Sequence, residues 1–181
     1  GDAYYRNLFR STKMHNTVTI DSESQNHIDE EDFWDFRRDA IPIVTKWAAS
    51  DTSDIISASH NGYMRLPDPV SHERTVIFDK LNEKWIIKDK LAGQGSHRFD
   101  WYFHFDTGID FIISKDMVKT ICSDNNIMLL FKHNSDLSLQ KEKSFVSKSY
   151  GTKEDAFVLV ATIKDTAPVE LTTEIISLNQ I

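Results

Sequence analysis

Alternation of apolar and polar residues at period two runs through most of this chain. Thr17-Val18-Thr19-Ile20 alternates, and so does Ile41-Pro42-Ile43-Val44-Thr45-Lys46-Trp47. Proline has no N–H to give to a ladder, so Pro42 predicts an edge strand or a strand beginning. The runs "SDIISASH", "HERTVIFDK", "EKWIIKDKL", "RFDWYFHF", "DFIISK", "MVKTICS", "NIMLLFKH", "KSFVSKSY", "AFVLVATI" and "VELTTEIISL" follow. Turn residues separate most of them, as in "LNEK", "DTG", "SDNN" and "YGTKEDA". The "AGQGSH" segment has two glycines outside any strand-to-helix context and reads as a hairpin turn. Within "DWYFHF", Trp101, Phe103 and Phe105 share one face, while Asp100, Tyr102 and His104 share the other. One apolar face implies that the second meets solvent or a polar groove. No window of helical length carries a comparable apolar stripe. "EEDFWDFRRDA", acidic at its start and basic at its end, suits one or two helical turns. The pattern predicts an all-β protein, a two-layer antiparallel β-sandwich of about a dozen strands with little helix. No internal repeat and no linker divides the 181 residues, so they are expected to form a single domain.

The stretch from Asp21 to Asp39 breaks this rhythm. It carries Asp21, Glu23, Asp29, Glu30, Glu31, Asp32 and Asp35. Such a run reads as a solvated loop, yet a long loop in a compact domain is where function collects, and dense like charge invites a cation.

Composition narrows the class. A net charge of −7 argues against nucleic-acid or anionic-membrane binding through bulk charge. Local basic groups remain: Arg6, Arg10 and Lys13 near the start, and Arg65 and Arg74 further on. No apolar run is long enough to span a bilayer, and no basic or apolar leader opens the chain. The chain does not begin with Met, so it reads as a processed product or a piece of something larger, with Gly1 as a tag scar. Cys122 is the only cysteine, which excludes an internal disulfide and a thiolate metal cluster. Its setting, "VKTICSD", reads as a buried strand residue.

Three of the seven histidines stand at strand boundaries rich in polar groups: His15 in "HNTVTID", His60 in "SDIISASH" and His72 in "HERTVIFDK". Strands far apart in sequence can bring such residues together. Two imidazoles and a carboxylate suit zinc, with a fourth position left to water or another group. Each histidine also reads as an ordinary hydrogen-bonded residue. Tyr63 follows Gly62, whose lack of a Cβ permits a tight turn, and a phenol near a cation can act as acid or base. No nucleophile elbow, phosphate loop or dinucleotide fingerprint is present.

Taken in order, "YYRNLFRSTKMHNTVTID", an acidic loop ending "DFWDF", "ASHNGYMRL", "SHERTVIFDK", "WIIKDKLAGQGSH" and "FHF" resemble the C-terminal β-sandwich region of the heparinase II/III-like polysaccharide lyases. The resemblance runs from about Asp2 to Phe105, and beyond it only the strand pattern continues. It implies an N-terminal α/α-toroid, absent from these residues, with an acidic polysaccharide in the cleft between toroid and sandwich. It implies β-elimination on uronic-acid polysaccharides: the uronate carboxylate is neutralised, a base takes the C5 proton, and an acid protonates the leaving glycosidic oxygen. Much of the catalytic set belongs to the toroid, so these residues alone are expected to be inactive. The resemblance further implies a structural zinc held by His15, Asp32 and His72, with Asp29 and Asp35 as rivals to Asp32. Tyr63 matches a cleft tyrosine, and His60, Arg65 and Arg74 fall at groove positions. Where active members carry a second histidine two residues before the first ligand, this chain has Lys13, which could neutralise a carboxylate but is a poor substitute for a neutral imidazole. Family habit implies the periplasm or the cell exterior. Two other readings stay open: a non-catalytic carbohydrate-binding sandwich using Tyr63, Trp34 and Tyr102, and a purely structural domain.

Overall fold

The computed structural model of the protein describes residues 3–28 and 38–178. Among them are twelve strands in two antiparallel sheets, numbered here in chain order. The smaller sheet runs β1 (Val18–Ile20), β6 (Ser96–His104), β11 (Glu154–Thr166), β10 (Leu137–Val146). The larger runs β2 (Ile43–Ala49), β3 (Ser53–His60), β4 (Val70–Asp79), β5 (Lys84–Gly93), β12 (Val169–Ser177), β9 (Ile127–His133), β8 (Met117–Ile121), β7 (Asp110–Ser114). The expected two-layer sandwich is the observed one. Helix is confined to α1 (Ala3–Arg10), which buries no residue, and to single 3-10 turns at Thr12–Met14 and Gly62–Arg65.

Period two explains the core. Phe99, Trp101, Phe103 and Phe105 point between the sheets from β6 and its end, meeting Val70, Leu91, Leu129 and Leu171 of the larger sheet. Their alternates Asp100, Tyr102 and His104 face outward, as expected. That outer face is a polar groove: Asp100 is buried yet accepts from Arg98 and Thr162, and the Thr12–Met14 turn ends over His104. β2 is an edge strand, exposed along its whole length, as Pro42 predicts.

Two expectations fail, and a third falls mostly outside the described residues. "AGQGSH" is not a hairpin, because β5 and β6 belong to different sheets. The segment carries the chain from one layer to the other through Gly95, whose φ of +83° suits glycine. Cys122 lies just past β8 and is only half-buried; Asn126 and Asp124 hold it in a turn rather than a ladder. The helical turns expected within residues 30–40 fall largely outside the described residues, and residues 38–40 are not helical.

His97, directly after this crossing, ties three segments together. Its Nδ1 lies 2.7 Å from Asp21 Oδ2 and its Nε2 3.0 Å from the Gln94 carbonyl, while Asp21 Oδ1 accepts from Arg98 N at 2.9 Å. With acceptors at both nitrogens, the ring is best satisfied as imidazolium. Burial alone lowers its pKa, but the bonds to Asp21 and Gln94 outweigh it and the net shift is upward. A pKa raised on folding gives stability that is fully present below the unfolded value and lost as pH rises through the folded one. The unfolding free energy should therefore fall as pH rises above the ordinary histidine value of about 6.5. Asp21→Asn should flatten that fall, as read by urea titrations across the range.

Candidate functional site

The larger sheet extends past β1, the edge of the smaller one, and a polar cluster fills the step between them. Three pieces of chain meet there: residues 12–17 leading into β1, the end of β3 with the Gly62–Arg65 turn, and the start of β4 with β5 beside it. Register sets His60 opposite His72, and Arg74 opposite Asp89. Every second residue of β4, from Val70 to Phe78, faces inward, so His72 and Arg74 enter the interior where an apolar residue would otherwise stand.

The interior cluster has a determined proton arrangement. Asp89 is 2% exposed and accepts two bonds from Arg74, Nε to Oδ1 at 2.7 Å and Nη2 to Oδ2 at 2.9 Å. Burial alone would raise its pKa, but the Arg74 charge and the bonds from His72 and Arg74 hold the carboxyl below its ordinary value. A carboxylate only accepts, so His72 Nε2, 2.6 Å from Asp89 Oδ1, carries the hydrogen. At the other end, the Gly62 N–H donates to His60 Nδ1 at 3.2 Å. The hydrogen of His60 therefore sits on Nε2, 3.1 Å from His72 Nδ1. The chain reads Gly62 to His60 to His72 to Asp89, and the lone pair of His72 Nδ1 accepts from His60. Burial, with His72 and Arg74 nearby, lowers the His60 pKa to about 4, so this ring is uncharged near neutrality. Arg74 completes the link, its Nη1 donating to the Asn16 carbonyl at 2.5 Å.

Gly62 is needed for space rather than for a positive φ. A Cβ there would lie 2.8 Å from Ala40 Cβ and run into the Gln25 carbonyl. Beside it, Tyr63 is fully buried and its hydroxyl donates to the Val18 carbonyl at 2.6 Å. Burial pushes that phenol well above its ordinary pKa. In this arrangement Tyr63 anchors the turn to β1. Its use as an acid or base requires it to leave Val18, and it is not a surface aromatic. Arg65 donates to the carbonyls of Gly62, Ser24 and Gln25 and pairs with Glu23, stitching the start of the acidic stretch to the same turn.

Lys13 and His15 are exposed on the segment that leads into β1. His104, half-buried, meets the Lys13 carbonyl through Nε2 at 2.9 Å, and its backbone N–H donates to the Asn16 side chain at 2.8 Å. Burial and the proximity of His15 lower the His104 pKa. So His60, Tyr63, His72 and Arg74 meet in one place, joined through the Asn16 carbonyl to the segment that carries Lys13 and His15, with Arg65 at its border. Asp32, its rivals Asp29 and Asp35, and Trp34 lie outside the described residues. Among the described residues no group of three His, Cys, Asp or Glu side chains could hold a metal.

Asp89 and His104 are the residues that sequence reasoning missed. Asp89 had a signal: it stands at a core position of the alternation Trp85, Ile87, Asp89, Leu91, and a carboxylate there must have a partner. His104 had only its outward parity on β6.

This architecture, with polar residues concentrated where the wide sheet outruns the narrow one, is the sandwich of heparinase-type polysaccharide lyases. The heparan sulfate lyase HepC from Pedobacter heparinus superposes with a TM-score of 0.75 at 20% identity, covering 98% of this chain and 27% of that one. Two heparinase III structures give 0.79 at 18–19% identity, covering 98–99% of this chain and 26% of theirs. The family described as "Heparinase II/III-like, C-terminal" matches residues 2–175, well beyond the Phe105 limit of the sequence resemblance. The chain belongs to that family. It spans about a quarter of the length of the solved structures. No curated protein sequence matches it, and no helix among the described residues is long and apolar enough to cross a membrane.

Proposed function

We propose that this chain is the C-terminal sandwich of a polysaccharide lyase that cleaves uronic-acid-containing polysaccharides by β-elimination, lining the substrate cleft and holding a structural zinc. The observation that carries the reading is the buried cluster of His60, Tyr63, His72 and Arg74, joined through the Asn16 carbonyl to the segment that carries Lys13 and His15, at one edge of a sandwich of this family. The exposed Lys13 ammonium meets the uronate carboxylate, lowering the cost of the negative charge that builds as the C5 proton leaves. Arg74 acts from below as a positioning residue, since its three donor nitrogens are engaged by Asp89 and Asn16. The base that takes the C5 proton comes from an N-terminal toroid in a longer polypeptide, and Tyr63 serves as acid only on release from Val18.

Two of the three zinc donors fit the chemistry of the group. His72 Nδ1 accepts from His60 here and would offer its lone pair once His60 turns away, while a carboxylate holds Nε2, an arrangement that orients and strengthens an imidazole ligand. His15 is exposed on the segment that Arg74 holds through Asn16, and Asp32 would supply the third donor. Bound zinc would tie the acidic stretch to the strand starts. The reading places the protein in the periplasm or outside the cell.

The test is turnover of uronate polymers by the longer polypeptide, read from the ultraviolet absorbance of the unsaturated uronide product. Activity is expected, with a loss of about a hundredfold in kcat/KM for Lys13→Ala. Chain cleavage without the unsaturated product would overturn the reaction type.

A further inference from the structure

After β1 the chain reverses through Asp21 and Ser22, both at positive φ (54° and 65°), and the Glu23 N–H donates to the Ile20 carbonyl at 2.9 Å. Two successive left-handed residues without a glycine make a strained turn that its surroundings must hold. Beyond it, residues 23–25 are seated beside the polar cluster. Thr12 N donates to Ser24 Oγ, Gln25 N donates to Thr12 Oγ1, and the Gln25 carbonyl abuts Gly62. The direction of the turn therefore sets how the root of the acidic stretch meets the Gly62–Arg65 segment.

His97 holds that turn. Its ring is buried and bridges Asp21 Oδ2 to the Gln94 carbonyl, and only an imidazolium donates to both. Carboxylates stand around it on three further pieces of chain. Asp21 is on the turn. Asp68, just before β4, lies over Gly95, where a Cβ would be 2.9 Å from its Oδ2. Asp165 is opposite His97 in the β11 register and takes bonds from Ser135 Oγ and Thr166 N. Phe99 is the aromatic neighbour, and Arg98 sends its guanidinium to Asp100 instead. Burial alone works against a charged ring here, but the bonds to Asp21 and Gln94 and the charges of Asp21 and Asp68 outweigh it.

We propose that His97 is a proton-operated clasp on the root of the acidic stretch, bridging the Asp21 turn to the layer crossing as imidazolium and releasing it on deprotonation. A neutral imidazole carries one N–H. Kept at Nδ1, it leaves a lone pair against the Gln94 carbonyl; kept at Nε2, it leaves one against the Asp21 carboxylate. Either way the bridge breaks. The crossing is fixed independently, since the Gly95 carbonyl accepts from Ala167 N at 2.9 Å. The turn keeps Asp21 N and Oδ1 on Arg98, but Ser22 to Gln25 lie past those anchors. Asp21 and Asp68 then repel without the cation that offset them, and the strained turn is the part that yields. This device stands whether or not the chain belongs to a working lyase.

NMR titration of the histidine rings in the 181-residue chain, with amide exchange followed at each pH, tests the clasp. His97 should titrate above the ordinary histidine value of about 6.5. Protection of the Glu23 and Gln25 amides should fall about tenfold as pH rises through that midpoint. Their exchange should stay flat in dilute urea, the mark of a local opening. Leu159 and Ala161, central in the smaller sheet, should accelerate in urea because they open by global unfolding. His97→Gln, uncharged at every pH, should show the weaker protection throughout, and Asp68→Asn should lower the His97 midpoint. If either variant fails to fold, the titration of the parent decides alone. A His97 midpoint at or below the ordinary value would overturn the clasp, and so would protection of Glu23 that ignores the midpoint. Exchange of Glu23 and Gln25 that follows the urea dependence of Leu159 would overturn it too, because the effect would then be one of overall stability.

Discussion

Asp89→Ala is expected to lower the unfolding free energy by about 3–5 kcal/mol, enough to consume much of an ordinary domain's stability. The reason is less the loss of attraction than what the loss leaves behind. Arg74 and His72 would remain in the interior with donors aimed at an empty site, and Asp89 takes bonds from both of them. Urea titration at neutral pH measures the effect, and a cost below about 1 kcal/mol would mean that water already satisfies these groups. The double variant Asp89→Ala with Arg74→Met should recover part of the loss, because removing the stranded charge removes its desolvation penalty. The sign of the pH dependence follows as well. A carboxyl whose pKa falls on folding contributes stability above its unfolded value and loses it as pH drops through the folded value. The parent protein should therefore show an acid limb of unfolding that Asp89→Ala shortens.

Trp101→Ala should cost a similar amount, about 3–5 kcal/mol, by a different route. Trp101 is fully buried at the centre of the smaller sheet, paired with Val18 on one side and Ala161 on the other. Truncation opens a cavity that the small neighbour Ala161 cannot fill, and two antiparallel ladders resist collapse around it. Trp101→Phe should be milder. It keeps most of the apolar area, and the indole N–H has no hydrogen-bond partner to lose among the described residues. Tryptophan-to-phenylalanine and tryptophan-to-alanine unfolding curves of equal midpoint would contradict the packing account.

The fold was legible because nearly every strand buries one face, and period two survives in such strands as an unbroken pattern. Trp101, Phe103 and Phe105 fall between the sheets as their parity requires. What period two does not encode is which sheet a strand joins. "AGQGSH" has the glycines of a hairpin, but Gly95 turns the chain across the layers, a choice made by β11 and β12 far downstream. α1 was missed because eight residues with no buried side chain leave no stripe to detect. At the site, boundary positions drew attention to His15, His60 and His72, and the structure joins His60 and His72 and ties Arg74 beside them to the segment that carries His15. The burial of Tyr63 was not legible, since a tyrosine after a glycine turn can face either way. Its direction is set by the Val18 carbonyl, forty-five residues earlier.

The proton chain from Gly62 to Asp89 also bears on how this edge works. It fixes the tautomers of His60 and His72, and Arg74 links it to the Asn16 carbonyl in the segment that carries Lys13 and His15. A cleft residue such as Lys13 can then be exchanged without disturbing the buried support, whereas changes at His72, Arg74 or Asp89 should disturb both.

Elemental analysis of the untagged 181-residue chain, beside its His15→Ala and His72→Ala variants, tests the functional assignment of this edge most directly. The account predicts close to one zinc per chain, lost in both variants, while circular dichroism of His15→Ala stays that of the parent because the side chain is exposed. A parent chain that stays metal-free when offered zinc would contradict it, and would leave His15 and His72 as hydrogen-bonded residues of a sandwich whose cleft chemistry lies elsewhere.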